Sequence, residues 1–292
     1  MSNEKLHDFQ DGSGPVLAHR HSNPDGTEGG WVAETAKVDP TAFVGPDAVV
    51  FDKARIYDEA RVFGEARVGK NAAVFGKAKI SGKALVLGGA HVFESARVSD
   101  KALVSGNARV LGNAKISGES LVHDQAQVSG NARVSENARI SGKAEVSGKA
   151  EVFGNAEVYG KAQVSGEAWV GGEARVFENA CVYRKAQVFG KAWIFGKAWI
   201  FGEADVSGKA QVSGEAWVFE NACVYRKAQV FGKARVYGKA RVYGKARVYG
   251  KAWIFGEADV SGKANVGGTA QVFGTAIVCG ETSVSGESRI TD

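Results

Sequence analysis

The chain has 292 residues, 44% of them hydrophobic, with 37 Lys and Arg against 32 Asp and Glu, a formal net charge of +5 and three cysteines. It contains no run of 18 or more apolar residues, which excludes a transmembrane helix, and the mostly polar opening from Met1 to Gly12 has no apolar signal segment, so the expectation is a cytoplasmic protein. The modest positive charge permits an anionic partner without requiring one, and Cys181, Cys223 and Cys279, separated by 42 and 56 residues, do not form a disulfide framework.

The first expected element is a strand from Pro15 to His21, followed by the turn cluster Ser22 to Gly30 and by Trp31-Val32 leading into a repeat. Residues 1–30 are expected to form a cap, because a bare terminal coil exposes apolar core and unpaired backbone groups. His7, His19 and His21 bring metal binding to mind, yet no Cys or acidic ligand stands at a recognisable spacing. His19 and His21 are therefore expected to be exposed strand histidines, and no metal is expected.

From Val38 every sixth residue to Ile290 is Val or Ile, which makes 43 hexads without insertion or deletion. Two residues before each stands a small residue, Ala everywhere except at Ser120, Thr282 and Ser288. The unit is Ala-x-Val and a three-residue corner, as in Ala234-Arg235-Val236-Tyr237-Gly238-Lys239. Its first and third side chains point to one side and the middle one to the other, the alternation of a half-buried strand. Gly at the second corner position accepts a positive φ. One such strand cannot bury its own apolar face, so the chain must wind and stack coil on coil. The fold class is therefore all-β: a single-stranded, three-sided parallel β-helix of about 14 coils of 18 residues over residues 31–292. At the usual strand spacing it is roughly 65 to 70 Å long. Val, Ile and Ala fill the interior, so function must lie on the outside. At the far end the repeat stops at Ser288 to Asp292, and this end is expected to be uncapped by its own chain.

Sorting the outward strand positions by steps of 18 gives columns. Arg61, Lys79, Arg97, Lys115 and Arg133 share one face, about 4.8 Å apart. Stacked like charges repel, and an anionic ligand would relieve them. The plain alternative is a solvated face, partly balanced by corner acids such as Glu65 and Glu119. On another face Leu85, Leu103 and Leu121 align between Arg67 and Arg139 as an exposed apolar stripe, which points to subunit packing. Further on, Tyr183, Phe201, Phe219, Tyr237, Phe255 and Phe273 should form a ladder along one edge, whose plain role is to stiffen the solenoid. Beside it lie Trp199, Trp217, Arg235 and Trp253, outward aromatics around an arginine, as protein contacts and planar-ligand sites use.

Two internal copies bear on selection. Ala174 to Ala192 recurs nearly unchanged at Ala216 to Ala234, displaced by 42 residues, which is not a whole number of coils. Trp199 to Ala216 recurs at Trp253 to Ala270, displaced by 54, which is three coils. A catalytic constellation tied to one face would not survive the first kind of copying, whereas extension of a rod would.

The hexads resemble the hexapeptide or isoleucine-patch repeat of single-stranded left-handed β-helices, in which an aliphatic residue and, four later, a small residue recur every six. The resemblance covers about nine-tenths of the chain, from near Trp31 to the end, and is nearest to unbroken alanine-rich bacterial and phage proteins that carry acyltransferase labels. It implies a left-handed helix. The Gly stands one position later than in the common motif, and parallel crossovers are usually right-handed, so a right-handed three-sided helix is the alternative. The resemblance also implies an acyltransferase using a His base at a subunit interface. Here there are no projecting loops, and the two solenoid histidines, His91 and His123, lie about 1.8 coils apart in different parts of the repeat. Either could act only alone, with an acid from another subunit. No nucleophile elbow, phosphate loop or Cys/His cluster is present, and no cofactor is expected.

Three function classes follow. The first is a noncatalytic binding or scaffolding rod acting through its outer faces, a homo-oligomer or bound to a protein partner. The second is an interface acyltransferase, resting on resemblance. The third is a sequestering protein for anionic small molecules or nucleic acid.

Overall fold

The computed structural model describes residues 5–291; residues 1–4 of the expected cap and residue 292 of the last repeat lie outside the described residues. The described chain is all-β, and no helix in it is long and apolar enough to cross a membrane. It divides into two compact units, one ending at Lys143 and the other beginning at Ala144.

The first unit opens with three antiparallel strands, β1 (Lys5–His7), β2 (Val16–Ser22) and β3 (Glu28–Ala33). Phe9, just past β1, is buried with Ala18, Ala33 and Phe51, and it stacks on Phe51 at 5.7 Å between ring centroids. One guanidinium nitrogen of Arg67 donates to the Phe9 carbonyl, which ties the segment after β1 to the coil beneath. The strand β3 then pairs in parallel with Val49–Val50, so that Trp31 and Val32 sit in register with the third column of hexads. The segment thereby gives the first coils both an apolar cover and hydrogen-bond partners for their backbone edge.

After β3 each hexad of the first unit contributes a two-residue strand, and within the unit these strands pair in parallel at a separation of 18 residues. Arg55–Ile56 pairs with Ala73–Val74, Arg61–Val62 with Lys79–Ile80, and Leu85–Val86 with Leu103–Val104, so consecutive hexads fall on three different sheets. The second unit repeats the arrangement, with Cys181–Val182 on Trp199–Ile200, Gln187–Val188 on Asp205–Val206, and Trp193–Ile194 on Gln211–Val212. Each unit is a three-sided parallel β-solenoid with an 18-residue coil.

Burial follows the hexad. Val, Ile and Ala at the inward positions, such as Ala54, Ile56, Ala150 and Val152, have no exposed surface. The inward Ala also closes the corner, its N–H donating to the carbonyl three residues back, as from Ala54 to Phe51 at 3.2 Å. The three exceptions to Ala show what the place tolerates. Ser120, Thr282 and Ser288 each turn the hydroxyl back to the carbonyl three residues earlier, on Ser117, Cys279 and Ser285, at 2.7, 2.7 and 2.6 Å. Of the three only Ser120 is buried, and there the polar side chain fits because its hydrogen bond is met locally.

The second corner position carries the positive φ. Gly fills most of these places, but eight acidic residues do so too, among them Asp58, Asp124 and Glu220 with φ of 56°, 60° and 61°. A left-handed non-glycine costs roughly 1–2 kcal/mol. An offsetting interaction is visible in the next coil, where the Gly N–H at the same corner has no ladder partner. Asp58 accepts from Gly76 at 2.9 Å, Asp124 from Gly142 at 2.9 Å, Glu178 from Gly196 at 2.8 Å and Glu220 from Gly238 at 2.8 Å. These are charge-assisted bonds donated by the amide N–H to the carboxylate.

Candidate binding faces

With the interior filled, chemistry is confined to the outward columns. In the second unit Trp199 pairs in register with Trp217, Trp217 with Arg235, and Arg235 with Trp253. The four side chains form one stack. The indoles of Trp199 and Trp217 are parallel at 5.5 Å, and the Arg235 guanidinium lies 4.9 Å from the Trp217 ring and 5.2 Å from that of Trp253. The rings lie along the column on one another, not splayed straight into solvent. Trp199 and Trp253 keep 39% and 36% of their surface exposed, whereas Trp217 and Arg235 are half-buried. Stacking and the cation–π contacts on both faces of Arg235 hold the row rigid before any partner arrives.

The neighbouring edge carries the expected ladder. Tyr183, Phe201, Phe219, Tyr237, Phe255 and Phe273 stack at 5.1, 4.8, 4.8, 5.1 and 5.0 Å between successive centroids. That spacing is the rise of one coil, so the rings stack without tilting the backbone. Ladder rings also meet the tryptophans edge-on, Tyr183 to Trp199 at 6.0 Å and Phe201 to Trp217 at 6.2 Å. Two further exposed tryptophans were not singled out from the sequence, Trp169 at 45% and Trp193 at 39% exposure. They stand on the other two sheets of the unit, with Trp193 5.7 Å from the Arg175 guanidinium. The signal was available, since both occupy the middle position of a hexad.

In the first unit Arg61, Lys79, Arg97, Lys115 and Arg133 pair in register as one column. The corner acids do not balance them as expected. Glu65 pairs with Lys83 at 3.2 Å and Glu119 with Lys101 at 2.8 Å, because lysines at the same corner one coil away are nearer than the mid-strand cations. Among the described residues Lys79, Arg97 and Lys115 make no ion pair. Arg61 instead lies over Phe43 at 4.7 Å.

Leu85, Leu103 and Leu121 also align, between Arg67 and Arg139. They are half-buried and not the open stripe expected, since in-register leucines one coil apart cover each other's flanks. Leu87, in the next corner, packs against the Phe9 cluster.

The histidines are dispersed. His91 lies in the sheet of Ala73 and Arg109 and meets Phe75 edge-on at 6.3 Å, whereas His123 follows Leu121–Val122 of another sheet and has Nδ1 3.1 Å from an Asp124 oxygen. They do not converge on one point. The expectation of two exposed cap histidines is corrected. His21 is buried, its Nε2 donating to the Ala42 carbonyl at 3.1 Å, while His19 Nδ1 is 2.5 Å from Glu34. Burial holds the His21 imidazole below its ordinary range, more strongly than the carbonyl raises it. Cys181 lies between Gln163 and Trp199, and Cys223 between Asp205 and Arg241 on a different sheet. Burial raises both thiols, so neither has the depressed pKa of a reactive nucleophile.

These features define a β-helix repeat protein whose functional groups are columns on flat faces. A family model described as the YdcK beta solenoid repeat matches residues 126–142 and 228–250, one stretch in each unit. No curated protein matches the chain.

Proposed function

We propose that the protein is a noncatalytic binding scaffold acting through its outward columns, and that the column Trp199, Trp217, Arg235 and Trp253 is its contact with a second copy of the chain. The observation that carries this reading is the preformed stack itself: three indoles and a guanidinium in continuous contact, with Trp199 and Trp253 still open to solvent. Aromatic and arginine side chains of this kind dominate protein interfaces. A row already locked by its own contacts loses little side-chain freedom on binding.

An interface acyltransferase is the competing reading. It draws on the resemblance of the hexads to hexapeptide-repeat β-helices and on the pairing of His123 with Asp124. A sedimentation series over protein concentration separates the two. Under the scaffold reading the wild type self-associates, the double variant Trp199→Glu/Trp217→Glu dissociates to monomer, and His91→Ala/His123→Ala behaves as wild type. A wild type that stays monomeric at all concentrations rejects the self-contact. Acyl-carrier binding lost on replacement of His123 in a folded protein would replace the scaffold reading with the enzyme.

A further inference from the structure

Within the cation column of the first unit, Lys79, Arg97 and Lys115 stand apart from Arg61, which lies over Phe43 at 4.7 Å. Several other outward arginines lie on rings, Arg109 over Phe93 at 5.5 Å and Arg247 over Phe231 at 5.4 Å, or pair with acids, as Arg241 does with Asp259 at 2.7 and 2.6 Å. Lys79, Arg97 and Lys115 make no ion pair among the described residues, and no ring lies over Arg97.

The reason is in the corner beside them. At the first corner position an aromatic ring leans against the mid-strand side chain one coil on, as Phe75 does on His91 at 6.3 Å and Tyr183 on Trp199 at 6.0 Å. The equivalent place for Lys79 is Phe63, whereas for Arg97 and Lys115 it is Ser81 and Ser99, both half-buried, so these two cations have hydroxyls beside them where rings would otherwise lie. On the other flank Ser95 precedes Arg97 and Asn113 precedes Lys115, with the Asn113 amide donating to Asn131 at 3.3 Å, while Lys77 before Lys79 pairs with Glu59 at 3.8 Å. The acid at the nearby corner, Asp100, has its carboxylate engaged by the Gly118 N–H at 2.9 Å.

From Lys79 to Lys115 the face therefore presents one cation without an ion pair per coil, about 4.8 Å apart, with hydroxyl and amide groups on both sides of Arg97 and Lys115. A repeating column with no enclosed pocket fits a linear ligand with regularly repeated anionic groups. Single-stranded nucleic acid is held by aromatic platforms under its bases, and none stands beside Arg97 or Lys115. Hydroxyls and amides are instead the partners of sugar hydroxyls. We propose that this face binds an acidic polysaccharide, a linear chain with one carboxylate per sugar, laid along Lys79, Arg97 and Lys115. The inference deepens the outer-face binding reading but uses other residues than the tryptophan column.

The test is binding of the full-length protein at low salt to three probes: polygalacturonate oligosaccharides of defined length, their fully methyl-esterified form, and oligodeoxythymidylate. The variant is Lys79→Gln/Arg97→Gln/Lys115→Gln, since Gln already fills the same outward position at Gln127 and Gln163. The control with equal charge loss is Lys37→Gln/Lys83→Gln/Lys101→Gln, and melting temperatures establish that both fold. We expect polygalacturonate binding to weaken with salt, to fall about tenfold or more in the column variant and within about twofold in the control, as local charge pairing requires. The esterified form should not bind. Absent polygalacturonate binding, or equal weakening in both triple variants, overturns the proposal. Oligodeoxythymidylate bound as tightly as polygalacturonate overturns it in favour of nucleic acid. Sedimentation of Trp199→Glu/Trp217→Glu reads the self-contact separately, so either idea can fail alone.

Discussion

Phe153 and Phe189 stand two coils apart, yet their ring centroids are only 6.0 Å from each other. They converge because the residue between them in the column is Gly171, and a Cβ there would meet Phe153 at 2.7 Å and Phe189 at 3.0 Å. Gly69 and Gly267 serve the same purpose, each lying under one ring, Phe51 and Tyr249, with the nearest ring atom at 2.3 Å from a Cβ. Where the ladder skips a rung, the missing side chain is the space the neighbouring ring occupies.

Gly171→Ala should therefore destabilise the second unit by about 1–3 kcal/mol, because the methyl group forces both rings away without replacing their contact. Gly171→Phe should cost less, since a ring in that place restores stacking like that of Tyr159 on Phe177 at 4.9 Å. Melting curves of the two variants check the order; a Phe variant less stable than the Ala variant contradicts this account.

Ala150 has no exposed surface and faces the filled interior. Ala150→Leu should lower stability by about 3 kcal/mol, at the upper end for overpacking, because the narrow prism offers little room to relax. Chemical denaturation measures it, and an unchanged midpoint would place Ala150 outside the core.

Burial of His21 gives the cap a pH dependence with a defined sign. The folded imidazole has a pKa below its ordinary 6.5, so between that lowered value and 6.5 the unfolded chain binds a proton that the folded chain does not. Stability is then full above 6.5 and is lost as pH falls toward the folded pKa. Hydrogen exchange of the β2 and β3 amides, followed from about pH 7.5 to about pH 5, should show opening on acidification in wild type. The same pH dependence should be much reduced in His21→Gln.

Glu220 separates two contributions at a corner. Glu220→Ala keeps the left-handed backbone and loses the bond from the Gly238 N–H, and should cost about 1–2 kcal/mol. Glu220→Gly loses the same bond but also the strain, and should lie close to wild type. An Ala variant as stable as the Gly variant would show that strain at this corner is negligible.

The hexad was legible because its period is strict: Val and Ile every six residues leave one strand pattern, and steps of 18 then place Trp199 over Trp217 and Lys79 over Arg97 without further information. The cap was legible only in part. The strand Val16–Ser22 stands out by composition, but Lys5–His7 is three residues with one aliphatic side chain, and the burial of Phe9 depends on Phe51, which is distant in sequence. Burial of His21 likewise depends on a carbonyl 21 residues away. The corner acids stand in the slot that Gly fills in other hexads, which marks their φ, but the waiting N–H one coil on leaves no trace in local sequence. The tryptophan column could be located but not its posture, because exposure depends on whether adjacent rings lie down on each other. No change in the hexad marks the boundary at Lys143, where Ser141-Gly142-Lys143-Ala144 runs on in register.

The near-copies at Ala174 to Ala192 and Ala216 to Ala234 put Cys181 and Cys223 on different sheets of one unit. Any duplication of a whole number of hexads is thus accepted by the core, which senses only Val, Ile and Ala. Its effect on the exterior depends on the remainder after division by three. Multiples of three lengthen a column and raise its valency, whereas other numbers deal the same side chains to a new face and break existing rows. Such copying changes the surface pattern while leaving the inward sequence of Val, Ile and Ala as it was.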